Sequence, residues 1–204
     1  MEIASYSLAD RELLEDDGKS LRAMVWIPPT TIVLGFSGTL EKALVVEAVQ
    51  RDRIPVMRRP SGGEAVFLSP RMLCISLSRS ISRIGSPYPF FRQVNERIIA
   101  ALIRLGVETV AMRGISDLAI GERKILGSAI YQTRTHIFYH AVLNVKEDSR
   151  LIARYLRYPD RTPPYRQNRP HDEFITSLHA EGFGNGIDDY RRQLQAFLAA
   201  PIDS

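Results

Sequence analysis

The chain has one cysteine, Cys74, in 204 residues. No internal disulfide can form, and no cysteine cluster is available to hold zinc. Within the run MLCISLS the thiol reads as a buried strand side chain and not as a nucleophile. Long apolar runs are missing as well: none approaches the roughly 18 residues of a membrane span. The opening, MEIASYSLADRELLEDD, carries acids where a signal peptide would have basic residues and an apolar stretch. A cytoplasmic chain with no membrane partner is expected. Tracts of five or more Lys/Arg are absent, as are zinc-ligand spacings and aromatic–basic RNA motifs, so no nucleic-acid partner is expected. Lysine is scarce. Of 27 basic residues only Lys19, Lys42, Lys124 and Lys146 are lysines, and 27 minus 4 leaves 23 arginines. Against that background each lysine is a candidate for work that a compact, mobile ammonium does and a planar guanidinium cannot.

The residues present suffice for one core. A content of 45% hydrophobic and 25% charged residues favours a single domain spanning residues 1–204. The net charge of +4 permits an anionic partner such as a nucleotide or an acidic protein. LRAMVWI and TIVLGF read as strands joined at Pro28-Pro29, and TLEKALVVEAVQRD as a helix opened by Thr39 as N-cap. PVMRR, Ser61-Gly62-Gly63 and EAVFL read as a strand-turn-strand unit, followed by a turn at Ser69-Pro70 and the strand RMLCISLS. Phe91, Val94, Ile98, Leu102 and Leu105 recur every three or four residues and predict an amphipathic helix over residues 87–105. SDLAIGERKILGSAIYQ reads as a hairpin around Gly121-Glu122, and HIFYHAVLNV as a further strand. In the tail, LIARYLRY, DEFITSLHAEGF and IDDYRRQLQAFLAA read as helices, with the Pro/Arg-rich loop PDRTPPYRQNRPH after the first. Internal repeats and regular βαβ alternation are both absent. The expected class is α+β: a mostly antiparallel or mixed sheet with packed helices.

Two stretches carry candidate chemistry. In RRPSGGEAVF, consecutive glycines allow positive φ and remove Cβ atoms, so a ligand can lie against exposed backbone N–H groups. A plain tight turn is the ordinary reading of such a sequence. If Arg58 and Arg59 lie on a strand they point in opposite directions, and at most one faces a ligand. In the hairpin, a loop of two or four residues sets Ala119 opposite Lys124 and Asp117 opposite Leu126, with Lys124, Leu126 and Ser128 on one face. Lys124 is then either an edge-strand charge that blocks aggregation or a cation that neutralises an anion in a pocket beside Asp117.

RRPSGGEAV, SDLAIGERKILGSA and FYHAVLNV, in that order, resemble the lipoate-protein ligase A family of the biotin and lipoyl protein ligase fold, over residues 21–183. The resemblance implies an enzyme that activates lipoate or octanoate with ATP and Mg2+ as an acyl-adenylate. It then passes the acyl group to a lysine of a lipoyl-acceptor domain. The family's lysine falls on Lys124, which is implied to be catalytic, and its hairpin acid on Asp117, also a candidate magnesium ligand. Arg59, Ser61, Gly62, Gly63 and Ala65 match the glycine turn; Gly127, Ser128 and Ala129 match the Gly-Ser-Ala segment, and His140 matches the strand histidine. All are implied to bind substrate or adenylate. The sequence departs from the pattern at Glu64, where the family has a third glycine. It departs again at LSPRM, residues 68–72, at Tyr131, and at Ala141 after His140. YLRYPDRTPPYRQNRPHDEF is similar to the tail of small family members with a P-x-YR-x-x-R-x-H segment. The resemblance leaves no room for the C-terminal accessory domain of larger members, so a separate accessory protein is a further expected partner. The alternatives are a transferase working through a cysteine thioester and a non-catalytic acyl-adenylate-binding protein. Residues 106–150 contain no cysteine, against the first of these.

Overall fold

Alternation of large apolar and small side chains along the middle strands builds one sheet that is packed on one face and hollow on the other. The computed structural model describes residues 1–18 and 21–200, so Lys19 lies outside the described residues. In chain order the elements are β1 Ala4–Ser5, β2 Arg22–Trp26, β3 Thr31–Leu34, α1 Leu40–Ala43, α2 Val46–Arg51, β4 Val56–Arg58, β5 Val66–Leu68 and β6 Met72–Ser80. They continue with α3 Tyr88–Arg104, β7 Val110–Arg113, β8 Asp117–Ile120, β9 Arg123–Gln132, β10 His136–Asn144, α4 Ser149–Tyr155, α5 His171–Phe174 and α6 Ile187–Ala199. Single 3-10 turns occur at Arg11–Leu14 and Pro164–Arg166. Among the described residues no helix is long and apolar enough to cross a membrane.

The larger sheet has six antiparallel strands in the order β2-β6-β10-β9-β8-β7. On one face Leu73, Ile75 and Leu77 of β6 and Tyr139 and Leu143 of β10 pack against Val94, Ile98 and Leu102 of α3 and Tyr190, Leu194 and Leu198 of α6. The period-two pattern then puts Cys74, Ser76 and Ser78 on the opposite face. These side chains are too small to fill the space above them. The smaller sheet has the order β1-β4-β3-β5, with β4 parallel to both neighbours and β5 antiparallel to β3. Its Ile32, Leu34 and Phe67 pack against Leu44, Val49, Ile152 and Leu156, the helical layer of α2 and α4. Its Val33 and Leu68 meet Trp26 and Cys74 of the larger sheet. The α+β class expected from the sequence holds, and so does the helix over residues 87–105.

Three local expectations do not hold. The helix read over TLEKALVVEAVQRD is two short helices, because Leu44 adopts an extended conformation, bridges Leu156, and is followed by Val45 N–H bonding to Tyr155 O. Thr39 sits at the N-cap position without a side-chain capping bond. β-Branched Val45 and Val46 favour this break. PVMRR and EAVFL do not pair with each other: β4 and β5 flank β3, so residues 59–65 form a connection across the end of β3 instead of a hairpin turn. DEFITSLHAEGF is helical only in α5, since Ile175 leaves to bridge Lys124 and Thr176 N–H bonds to Lys124 O. The backbone that follows α5 is thereby paired with β9.

That connection presses on the end of β3. A Cβ on Gly35 would lie 2.0 Å from the carbonyl oxygen of Gly63, backbone against backbone. Gly35→Ala is therefore expected to lower the unfolding free energy by about 3 kcal/mol, measured by urea denaturation; an unchanged midpoint would contradict this packing.

Candidate active site

The β8–β9 hairpin turns through Gly121-Glu122 and pairs Ala119 with Lys124, as the two-residue loop predicts. Beyond that pair the register shifts: Leu118 pairs with Leu126 and Asp117 with Gly127. The extra residue is Ile125, and it overturns the parity read from the sequence. Ile125 and Leu126 both enter the core under the helices, while Lys124 shares a face with Gly127 and Ala129 and not with Leu126 and Ser128. The Lys124 ammonium lies 2.8 Å from Asp117 Oδ1. A Cβ on Gly127 would stand 2.7 Å from both Cε and Nζ of Lys124. The glycine thus makes room for the ammonium. Asp117 is nearly buried, and its second oxygen accepts from Tyr165 Oη at 2.8 Å. Burial, followed by the Asp117 charge, pushes the Tyr165 phenol up, so it stays a donor.

The glycine connection is shaped by the two arginines. Arg59, 4% exposed, donates through Nε to Ser61 Oγ at 3.0 Å, through Nη1 to Val33 O at 3.1 Å, and through Nη2 to Gly62 O and Glu64 O, each at 2.8 Å. Arg58 donates to the carbonyls of Gly35, Phe36 and Gly38. Both guanidinium groups are engaged by the chain itself, and Arg59 also lines the cavity described below. Burial holds the Arg59 pKa down to about 10, which leaves it charged at neutral pH. Ser61 Oγ also lies 2.7 Å from His140 Nε2. Ser61 Oγ is thus shared between Arg59 and His140, with the direction of the second bond set by the His140 tautomer. Burial, then the Arg59 charge, lowers His140 to about 3, which keeps the imidazole neutral at neutral pH. Gly62 and Gly63 are exposed, and Gly63 has φ +92 with its Cβ position 3.9 Å from that of Ala129. The connection therefore lies over β9.

The other expected site residues divide. Ala65 lines the cavity described below and packs on the smaller sheet's core. Ser128 pairs with Ala141 and donates to Ser116 O at 2.7 Å, which directs its hydroxyl toward the β8 edge. Glu64 is exposed on the cavity rim, with its carbonyl tied to Arg59. Within LSPRM, Leu68 and Met72 line the cavity, while Ser69 Oγ is bonded to the Glu147 carboxylate and Arg71 to Lys146 O.

The space between the sheets is a cavity of about 590 Å³, within the size range of small-molecule sites. Pairing register defines its floor. Trp26, Cys74, Val142, Gly127 and Asp117 form one cross-strand row, and Met24, Ser76, His140 and Ala129 the next. One end is charged and opens between Lys124, Asp117 and the exposed Arg157, Arg161 and Thr162. The other is buried and walled by Tyr6, Asp10, Trp26 and Cys74. Sequence reasoning quoted the segment holding Tyr165 but gave that residue no role, and it missed Tyr6 and Asp10 altogether. Contacts 48 residues apart leave no spacing signal. Among the described residues no group of three His, Cys, Asp or Glu is placed to hold a metal ion. Both Asp117 oxygens are already engaged, so these residues do not fit a protein-held magnesium.

Comparison with known proteins places these features in context. Residues 7–199 match the family model described as the lipoyl protein ligase A/B catalytic domain. A protein of Aeropyrum pernix named as a lipoate-protein ligase A is 29% identical over 134 residues, 65% of this chain and 49% of that protein. The match thus spans about half the length of that relative. Among solved structures, the bipartite lipoate protein ligase of Thermoplasma acidophilum, studied with its E2 lipoyl domain, superposes with a TM-score of 0.79 at 21% identity. It covers 97% of this chain and 82% of that one. A lipoate-protein ligase A bound with ATP has a TM-score of 0.77 at 20% identity, covering 97% and 84% respectively. These likenesses establish a shared fold.

His140 stays neutral in the folded chain down to about pH 3, whereas its ordinary value is 6.5. Below about pH 6.5 only the unfolded chain takes up that proton, so stability present at neutral pH is lost as pH falls. His140→Gln should flatten the acid limb of the stability profile by at most about 1.4 kcal/mol per pH unit, read from urea melts at pH values between neutral and acid. Parallel limbs in the two proteins would refute a neutral, buried His140.

Proposed function

The chain belongs to the lipoyl protein ligase A/B catalytic domain family, and from that premise we propose that it is an acyl-adenylate-forming lipoate- or octanoate-protein ligase. One observation carries the reading: a mobile ammonium, Lys124, held by Asp117 over Gly127 at the charged end of a largely apolar cavity. An amphiphilic acid fits such a space, with its chain between the sheets and its carboxylate at Lys124.

In the first step a carboxylate oxygen attacks the α-phosphorus of ATP, and pyrophosphate leaves with the bonding electron pair. Negative charge gathers on the oxygens around phosphorus, and Lys124 stabilises it with a compact, reorientable donor. Asp117 and Tyr165 keep that donor aimed at the cavity. The exposed backbone of Gly62 and Gly63 lets the adenylate lie close to the chain. His140, Ser61 and Arg59 hold the connection in place. In the second step the neutral ε-amine of an acceptor lysine attacks the acyl carbon, an amide forms, AMP leaves and the amine's proton passes to solvent. The mixed anhydride makes a protein nucleophile unnecessary. Cys74 stands two strands from Gly127 in the cross-strand row, on the side of the cavity away from Lys124. That position does not support a thioester-forming transferase.

Residues 1–204 are read as one catalytic domain, and a lipoyl-acceptor domain as the protein substrate. The Thermoplasma relative is bipartite, which supports a separate accessory protein as a second partner. Purified chain should catalyse lipoate- or octanoate-dependent exchange of pyrophosphate into ATP. Lys124→Ala should fold with an unchanged melting temperature and lose at least about a hundredfold in exchange rate. Full exchange by that variant would remove Lys124 from the mechanism, and no exchange by the parent, alone or with its accessory protein, would reject self-contained adenylation.

A further inference from the structure

The buried end of the cavity is closed by a piece of chain that belongs to neither sheet's covering helices. Residues 6–14 lie on the hollow face of the larger sheet and are fastened there at several points. Asp10, 1% exposed, accepts from Tyr6 Oη at 2.7 Å and from Ser76 Oγ on β6. Ser76 Oγ in turn accepts from Trp26 Nε1 at 3.4 Å. Leu8 is buried in the cluster of Trp26, Val33, Leu68 and Cys74. His136 Nε2 donates to Leu13 O at 2.8 Å, and Arg22 donates to the carbonyl oxygens of Glu12, Leu13 and Glu15. The polar groups satisfy one another, so the wall they form shows the cavity mainly rings and sulfur.

Register converts this wall into a length. From Gly127, over which Lys124 lies, the floor crosses Val142 and Cys74 to reach Trp26, three strand spacings or roughly 14 Å. That is the reach of a medium-length acyl chain in extended form. The wall is also thin: Tyr6 and Arg59 line both the cavity and a separate open hollow on the surface, whose other side is formed by Ile3, Leu14 and Phe36. Tyr6 is thus a partition with space on each face.

We infer that residues 6–10 are the end stop of an acyl-length ruler whose origin is Lys124, with Tyr6 and Cys74 setting the longest chain accepted. The inference rests on the acyl-binding reading above. Acids are bound with the carboxylate at Lys124 and the chain running across β9, β10 and β6 toward β2. Chains that fit gain apolar burial at about 0.8 kcal/mol per methylene, and longer ones meet Tyr6, Trp26 and the hydrogen-bonded Asp10.

The test is calorimetric binding of lipoate and of hexanoate, octanoate, decanoate, dodecanoate and tetradecanoate to the full chain, to Tyr6→Ala and to Cys74→Phe. Melting curves first establish that each variant is folded. The parent should bind octanoate and lipoate best and lose affinity from dodecanoate onward. Tyr6→Ala opens the partition into the surface hollow and should raise dodecanoate and tetradecanoate affinity at least about tenfold, with hexanoate unchanged. Cys74→Phe fills the floor two strands from Gly127 and should weaken octanoate and lipoate by a similar factor while sparing hexanoate. The two variants move the cut-off in opposite directions, so either one suffices if the other does not fold. Affinity in the parent with the same length profile in a folded variant overturns the ruler and leaves the ligase reading intact. No binding of any acid by the parent overturns both.

Discussion

The buried guanidinium of Arg59 ties the two sheets to the connection that crosses between them. A charge so placed would cost several kcal/mol if it were left unbonded. Four charge-assisted bonds, to Val33 on β3, to Ser61, and to the carbonyls of Gly62 and Glu64, offset that cost. Because each acceptor sits at a fixed place, the same bonds fix the path of residues 59–65. Ser61 extends the network to His140 on β10, so the smaller sheet, the connection and the larger sheet share one set of hydrogen bonds. Replacement by lysine would keep the charge and lose the fork.

With the sheets held at that separation, what fills the gap depends on side-chain size. Leucine, isoleucine and tyrosine of β6 and β10 turn to the helices, while cysteine, serine, glycine and alanine turn to the gap. A hollow results, apolar along most of its length and charged at one end. The β-bulge at Ile125 completes the arrangement. It sends two consecutive apolar residues into the helical core and brings Lys124, Gly127 and Asp117 to the hollow face together. Without the bulge a strict two-residue period would place the lysine and the glycine on opposite faces.

The site's chemistry follows from how its polar groups are distributed. Asp117 aims the ammonium, Tyr165 occupies the remaining carboxylate oxygen, and the histidine is kept neutral by burial. In such a setting Lys124 is a compact cation at the charged end of the hollow, with the exposed Arg157 and Arg161 at its mouth. Glu64, where the glycine pattern is broken, is exposed and lines the same cavity.

Much of this was legible from order and period. The run of apolar residues every three or four positions marked α3; Gly121-Glu122 marked the hairpin; the scarcity of lysine singled out Lys124, and the glycine turn and strand histidine carried the family resemblance. Those are local properties, set by backbone propensity and by which residues neighbour each other along a strand or helix. What the chain order could not show was whatever depends on a distant partner. Leu156 unwinds a helix at Leu44, Val33 and Glu64 supply carbonyls to Arg59, Tyr165 reaches Asp117, and residues 6–14 close a cavity whose floor includes β2 and β6. Each is decided by burial and hydrogen bonding between segments far apart in sequence. Local propensities of a few tenths of a kcal/mol yield there to desolvation costs several times larger.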